Sequence, residues 1–500
     1  MLDAFANLAG GFAVALQWQN LLFALLGATM GTFIGVLPGL GPLTTVAILL
    51  PVTFYLEPVS SMIMLAGIYY GAQYGGSTTA ILANLPGEAT SVVTCIDGYQ
   101  MARQGRAGSA LAIAALGSCF AGIVATLVIA VAAPPLTRFA MLFGAPEYFS
   151  LMVLGLVAAI VLAQGSILRA LAMVVLGLLI ATIGSDPQTG LARVTFGVPQ
   201  ISDGISFVPV AMGLFAVPEL LKNIVWPEEK VALDARVNRL WPTYEEFRLA
   251  WPAVVRGTAL GSILGILPGG GALLSSFAAY AVEKKIARDP AKFGNGAVQG
   301  VAAPEAANNA GAQTSFIPLL TLGLPGNAVM AVMAGALIMK GIQPGPNVIT
   351  AMPELFWGLI ASMVVGNAML LVINLPMIGL WVKLINVPYR LLYPSILVFC
   401  CLGTYMVGNS VVDIWMLLVF SALGCVLQLL KFEPAPLALS FVLGIMMEEN
   451  FRRALQVSRG DFMIFINHPI SAVLLASAVA LLLVVILPGI KQKRKEAFQE

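Results

Sequence analysis

Charge is what this chain has least of. Only 10% of its 500 residues are Asp, Glu, Lys or Arg, against about 25% in ordinary soluble domains. A soluble chain of this length would need far more polar surface to cover its core. Histidine is nearly absent: His468, just before Pro469, is the only one. That leaves almost no room for a histidine-dependent triad or a multi-histidine metal site, and it reads as a neutral interfacial residue. The five cysteines (Cys95, Cys119, Cys400, Cys401, Cys425) fall mostly inside apolar runs without metal-ligand spacing, as small buried hydrophobes do. No G-x-x-x-x-G-K-[ST] occurs, so the chain carries no nucleotide-driven motor of its own. A net charge of +2 offers no basic field for nucleic acid. The N-terminal segment has neither Lys nor Arg nor a small-residue cleavage site, and no removable signal peptide is expected.

Long apolar runs fill the space. No charged residue occurs from Ala4 to Leu56, Pro58 to Gly87, Ala107 to Thr137, Gly257 to Val282, Ala306 to Met339 or Leu355 to Val382. About 20 apolar residues suffice to span a bilayer as helix, and the runs lack the period-two alternation of a membrane barrel. The expectation is an all-α polytopic membrane protein with roughly ten to thirteen transmembrane or re-entrant helices. The cluster Lys491-Gln492-Lys493-Arg494-Lys495 directly after the last run argues for a cytoplasmic C-terminus.

Four segments follow: a first membrane half (1–218), a polar, cytoplasmic connector (219–256), a second membrane half (257–490) and a basic tail (491–500). The halves are related. Gly31-Thr-Phe-Ile-Gly35-Val-Leu37-Pro38-Gly39-Leu-Gly41 matches Gly261-Ser-Ile-Leu-Gly265-Ile-Leu267-Pro268-Gly269-Gly270-Gly271. Gly71-Ala72-Gln73 is echoed by Gly311-Ala312-Gln313, and Leu85-Pro86-Gly87 by Leu324-Pro325-Gly326. Three collinear matches indicate an internal duplication. Whether it is inverted depends on the parity of crossings between Pro38 and Pro268.

Proline removes a backbone donor and glycine tolerates left-handed geometry. Inside a membrane such breaks survive where protein or a wet cavity satisfies the freed groups. Secondary transporters aim broken helix ends at anionic substrates and ions. Pro38-Gly39, Pro86-Gly87, Pro268-Gly269 and Pro325-Gly326 are four breaks in two corresponding pairs. The polar residues beside them complete the candidate substrate site. In the first half these are Gly41, Thr44, Thr45, Gly75, Gly76, Ser77, Thr78 and Asn84. In the second they are Gly270, Gly271, Ser275, Asn309 and Gln313. Hydroxyls and amides bind carboxylate oxygens without a fixed counter-charge, although each single Ser or Thr more often bonds back to its own helix. Glu88 and Glu305 are the candidate cation-coupling acids, because an intramembrane carboxylate is costly without a function. Either would alternatively cap a helix at an interface. Arg103, Arg106 and Lys340 serve an anion vestibule or simply mark the positive side.

The quoted segments, together with Tyr74-Gly-Gly-Ser-Thr-Thr-Ala-Ile-Leu82 and Pro304-Glu-Ala-Ala-Asn-Asn-Ala310, resemble the large membrane subunit of tripartite tricarboxylate transporters. The resemblance runs from about residue 15 to 470. It implies a bacterial inner-membrane uptake system for a tricarboxylate or another carboxylate, driven by a sodium or proton gradient and without a cofactor. It also implies two partners: a small membrane subunit of about four helices and a periplasmic substrate-binding protein. A channel or exporter of small organic anions is the nearest rival, and a membrane-embedded enzyme a more distant one. The sequence specifies neither the carboxylate nor whether the halves rock or slide.

Overall fold

In lipid a helix satisfies its own backbone polar groups, and helices dominate the computed structural model. It describes residues 2–37, 39–163, 166–186, 188–225, 240–267, 271–385 and 389–486. The first half comprises α1 (Leu2–Ala15), α2 (Trp18–Gly35), α3 (Pro42–Leu49), α4 (Pro58–Ala83), α5 (Val92–Arg103), α6 (Ala107–Ala140), α7 (Ala145–Leu162) and α8 (Ile167–Ala181). A two-residue antiparallel pair follows, β1 (Gly184–Ser185) with β2 (Ala192–Arg193). Helices α9 (Phe207–Ala211) and α10 (Val217–Val225) join through a π-helical turn into one helix, Phe207–Val225. Next come α11 (Tyr244–Leu264), α12 (Gly271–Ile286), α13 (Gln299–Thr314), α14 (Phe316–Leu322), α15 (Ala328–Met339) and α16 (Asn347–Ala351). The chain continues through α17 (Pro353–Asn374), α18 (Ile378–Ile385), α19 (Tyr389–Gly408) and α20 (Val411–Leu429). It closes with α21 (Ala435–Val457), α22 (Ile464–Asn467) and α23 (Pro469–Ile486).

The all-α polytopic class expected from composition is what the structure has. Among the described residues, four helices, α6, Phe207–Val225, α17 and α20, are each long and apolar enough to cross a membrane. The pair α1 and α2, bent by 82°, would add a fifth. Much of the remaining apolar sequence sits in shorter helices, because proline and glycine cut the runs. The run from Ala4 to Leu56 shows this: it becomes α1, α2, α3 and a 3₁₀ turn at Leu50–Thr53. The ends of the polar connector are helical, in α10 and in α11, which opens with a capping box. There Thr243 Oγ1 accepts from the Glu246 N–H at 3.1 Å, and the Glu246 carboxylate accepts from the Thr243 N–H at 2.8 Å. Residues 226–239 and the basic tail lie outside the described residues.

Small residues set the packing in both halves. Gly27, Gly31 and Gly35 repeat every turn along α2, and none has room for a Cβ against the Met64, Ile68 and Ala72 carbonyls of α4. In the second half Gly257, Gly261 and Gly265 stand in the same relation to Ala303, Ala307 and Gly311 of α13. Paired positions are 230 residues apart on the first helix and 239 on the second. Close backbone approach replaces the hydrophobic drive that lipid removes.

The halves also interlock. Helix α3 packs on α15, and α12 packs on α5 and the 3₁₀ turn Ala89–Ser91. Beyond α3, the Lys340 ammonium at the end of α15 donates to the carbonyls of Phe54 and Leu56. The buried Asp97 of α5 accepts from the Gly294, Gly296 and Ala297 N–H groups beyond α12 at 2.8–2.9 Å and from the Tyr280 hydroxyl of α12 at 3.0 Å. Each half therefore holds the segment that follows the other half's broken arm.

Candidate functional site

Two helix breaks share one backbone design. Helix α4 ends at Ala83 on left-handed Asn84 (φ 55°), and α14 ends at Leu322 on left-handed Gly323 (φ 74°). Leu-Pro-Gly follows in both, then an extended residue: Glu88 (φ −152°, ψ 169°) or Asn327 (φ −157°, ψ 176°). Proline cannot continue the helix, and the extended residue starts the next one. Asn327 Oδ1 caps α15 by accepting from the Met330 N–H at 2.9 Å. Glu88 uses its side chain differently. Its Oε1 accepts from Asn308 Nδ2 of the second half at 3.1 Å.

Glycines let the first-half breaks touch. Gly87 lies against Gly76 with no space for a Cβ, and a Cβ on Gly41 would meet the Gly87 carbonyl oxygen at 2.8 Å. Gly39 is left-handed (φ 78°) and faces Asn223 of α10. Asn223 is buried, and its Nδ2 has no partner among the described residues. In the second half a Cβ on Gly271 would meet the Gly265 carbonyl oxygen at 2.7 Å, and one on Gly311 would lie 3.1 Å from Ser275 Oγ.

Glu305 sits in mid-helix on α13 and is 3% exposed, so it is not a helix cap at an interface. Pro304 precedes it and takes one N–H from the ladder. Its Oε2 accepts from Ser77 Oγ at 2.7 Å and its Oε1 from Thr94 Oγ1 at 2.5 Å. Gln73 Nε2 donates to Asn308 Oδ1 at 3.4 Å, and Asn308 donates in turn to Glu88. Both acids thus belong to one polar cluster drawn from α4, α5, the 84–88 break and α13. Beside Glu305 lies a cavity of about 20 Å³, also lined by Tyr74, Ser77, Thr78, Ser118 and Asn374.

The other predicted residues divide. Thr45 bonds back to the Gly41 carbonyl at 2.9 Å, Thr78 to Tyr74 at 3.1 Å, and Ser275 to Gly271. Gly75 is taken up by packing on the α2 backbone. Thr44, Pro325 and Gly326 are buried, whereas Asn84 is exposed. Asn309 and Gln313 join an adjoining network: Asn309 Nδ2 donates to Asn367 Oδ1 at 2.9 Å, and Thr126 Oγ1 to Gln313 Oε1 at 3.0 Å. Pro38, Pro268, Gly269 and Gly270 lie outside the described residues. The cations considered for a vestibule are partly engaged. Arg106 pairs with Glu246 at 2.8 Å, and Lys340 is held by carbonyls. His468 has a carboxylate partner, its Nδ1 lying 2.8 Å from Glu147 Oε1.

Sequence reasoning passed over Thr94, Asn223, Asn367 and Asn374. Asn374 had a legible signal, since Asn374-Leu375-Pro376 repeats Asn84-Leu85-Pro86 and likewise ends a helix. Asn223 fell within the stretch assigned to the connector. Thr94 and Asn367 become visible only when α5 and α17 are packed.

Broken helices in each of two interlocked halves, with buried Glu305 and half-buried Glu88 in a polar cluster between the halves, fit the construction of a membrane transporter. The chain belongs to the tripartite tricarboxylate transporter TctA family, whose pattern matches residues 21–439. Family membership implies a component of a tripartite transporter. It is 55% identical, over the full length of both chains, to an uncharacterized 52.8 kDa protein in the TAR-I ttuC' 3' region of Agrobacterium vitis. It is 53% identical over 240 residues to an uncharacterized protein in the TAR-II ttuC' 3' region of the same organism, covering 48% of this chain and 99% of that one. No solved structure matches it.

Proposed function

We propose that this chain is the translocating subunit of a bacterial inner-membrane symporter. It imports a tricarboxylate or another carboxylate handed over by a periplasmic binding protein, with a small membrane subunit alongside and the C-terminus in the cytoplasm. The observation that carries this reading is the shared polar cluster: Glu88 beside one break and Glu305 from the other half are linked through Asn308, Gln73 and Ser77, and Thr94 also donates to Glu305. A cation neutralising these acids changes how the halves hold together, and that couples its movement to the substrate's. The substrate's carboxylates bind where helix ends and amide donors converge, at Gly39–Gly41 with Asn223 and at the Leu-Pro-Gly turns. The 230- and 239-residue spacings and the matched dihedral angles support two duplicated halves that exchange access to the site. The reciprocal holds, Lys340 on the Phe54 and Leu56 carbonyls and Asp97 on the 294–297 amides, are what a two-fold related pair would make.

Gly39→Leu and Gly87→Leu place bulk where the breaks meet. Each should cut uptake of a radiolabelled carboxylate at least tenfold in cells expressing the whole system, with membrane insertion retained. Unchanged uptake in both would remove the breaks from the pathway.

A further inference from the structure

The cavity beside Glu305 is too small for the substrate. About 10–15 Å³ admits one water, and this cavity, at about 20 Å³, admits one body of that size. Its polar lining presents oxygen: the Glu305 carboxylate, the hydroxyls of Tyr74, Ser77, Thr78 and Ser118, and the Asn374 carboxamide. Asn374 is 5% exposed. Its Nδ2 donates to the Leu370 carbonyl at 2.9 Å, while its Oδ1 has no partner among the described residues. A buried acceptor left unbonded is destabilising unless something visits it. Asn374 is also the last residue of α17, where the helix dipole favours positive charge.

We infer that this cavity binds a single dehydrated cation of sodium size, held by Glu305, Ser77, Thr78 and Asn374 Oδ1. The inference deepens the reading of the chain as a cation-driven transporter and rests on it. Charge selects the class of ion. One carboxylate lines the cavity, so one positive charge is balanced and a divalent ion would leave a buried surplus. Neither cysteine nor histidine lines it, which disfavours a transition metal. Ser77 and Thr78 each spend their proton on a protein acceptor and retain lone pairs for a cation. A proton would ride on Glu305 alone and would need neither the space nor Asn374. Occupancy would add a tie from the end of α17 to α4 and α13, the second of which the Asn309–Asn367 hydrogen bond already joins to α17 elsewhere along that helix, and emptying the site would loosen that end alone.

The test uses the purified full-length chain in nanodiscs, with thermal unfolding followed at constant ionic strength in NaCl, KCl or choline chloride. Sodium should raise the midpoint saturably, and potassium and choline should not. Asn374→Ala should weaken the apparent sodium affinity at least tenfold, and Glu305→Gln should abolish the response. Thr78→Val serves as a second, milder variant should Asn374→Ala fold poorly. Equal responses to all three salts, or a sodium response unchanged in Asn374→Ala and Thr78→Val, would overturn the inference. So would stabilisation by protons alone. No carboxylate is needed for this readout. A sodium response without carboxylate uptake would contradict the function proposed above, and uptake without a sodium response would contradict only this site.

Discussion

Asp186 shows how a single carboxylate is tuned outside the membrane-spanning helices. Its Oδ1 accepts from the Gln188 and Thr189 N–H groups at 2.9 Å, and its Oδ2 lies 2.8 Å from the Arg452 guanidinium. The backbone donors of Thr189 and Gln188, helped by Arg452, hold the carboxyl well below its ordinary value of 3.8. The folded value lies below the unfolded one, so the contribution is complete above the ordinary range and fades as pH falls through 3.8. Asp186→Asn should therefore lower the unfolding midpoint at neutral pH, with the gap from the parent narrowing below about pH 4. A gap independent of pH would show that the turn owes nothing to the charge. Residues of this kind were poorly legible in the sequence, because Arg452 lies 266 positions away. Glu88 and Glu305 were legible, because an acid next to a long charge-free run stands out whatever its neighbours.

Helix breaks were read correctly at the level of the element, since Leu-Pro-Gly dictates an end wherever it falls. Asn84 and Gly323 in left-handed geometry are the same local solution reached twice. The sequence did not reveal what the arms beyond the breaks touch. Asp97 and Lys340 reach across the halves to opposite kinds of backbone group, N–H in one case and carbonyl in the other, and that pairing exists only in the folded chain. Bonds to charged groups contribute about 1.5–3 kcal/mol each. Lys340→Met should loosen residues 50–56, and Asp97→Ala should loosen residues 290–297. A loss of about 2 kcal/mol corresponds to a roughly 25-fold rise in local hydrogen exchange. Exchange that rises only on the mutated helix, and not in the other half, would contradict a mutual grip.

At the scale of the molecule, composition pointed to a multi-pass membrane protein and paired motifs nominated the candidate site. The count of whole crossings was the least legible feature. Charge-free length measures apolarity, whereas α1–α3 show that breaks decide how that length is divided. The glycine contacts Gly27–Met64 and Gly257–Ala303 pack alike, and the Glu88–Glu305 cluster joins residues from both halves of the chain. Coupling of carboxylate entry to a cation through that cluster is the central claim. It is tested most directly by carboxylate uptake into proteoliposomes holding the complete three-part system, under an imposed cation gradient, with the parent chain or Glu305→Gln. The account predicts saturable uptake that needs both the gradient and the binding protein and falls at least tenfold in Glu305→Gln. Uptake at the parental rate in Glu305→Gln, or substrate flux that persists without any gradient, would contradict it.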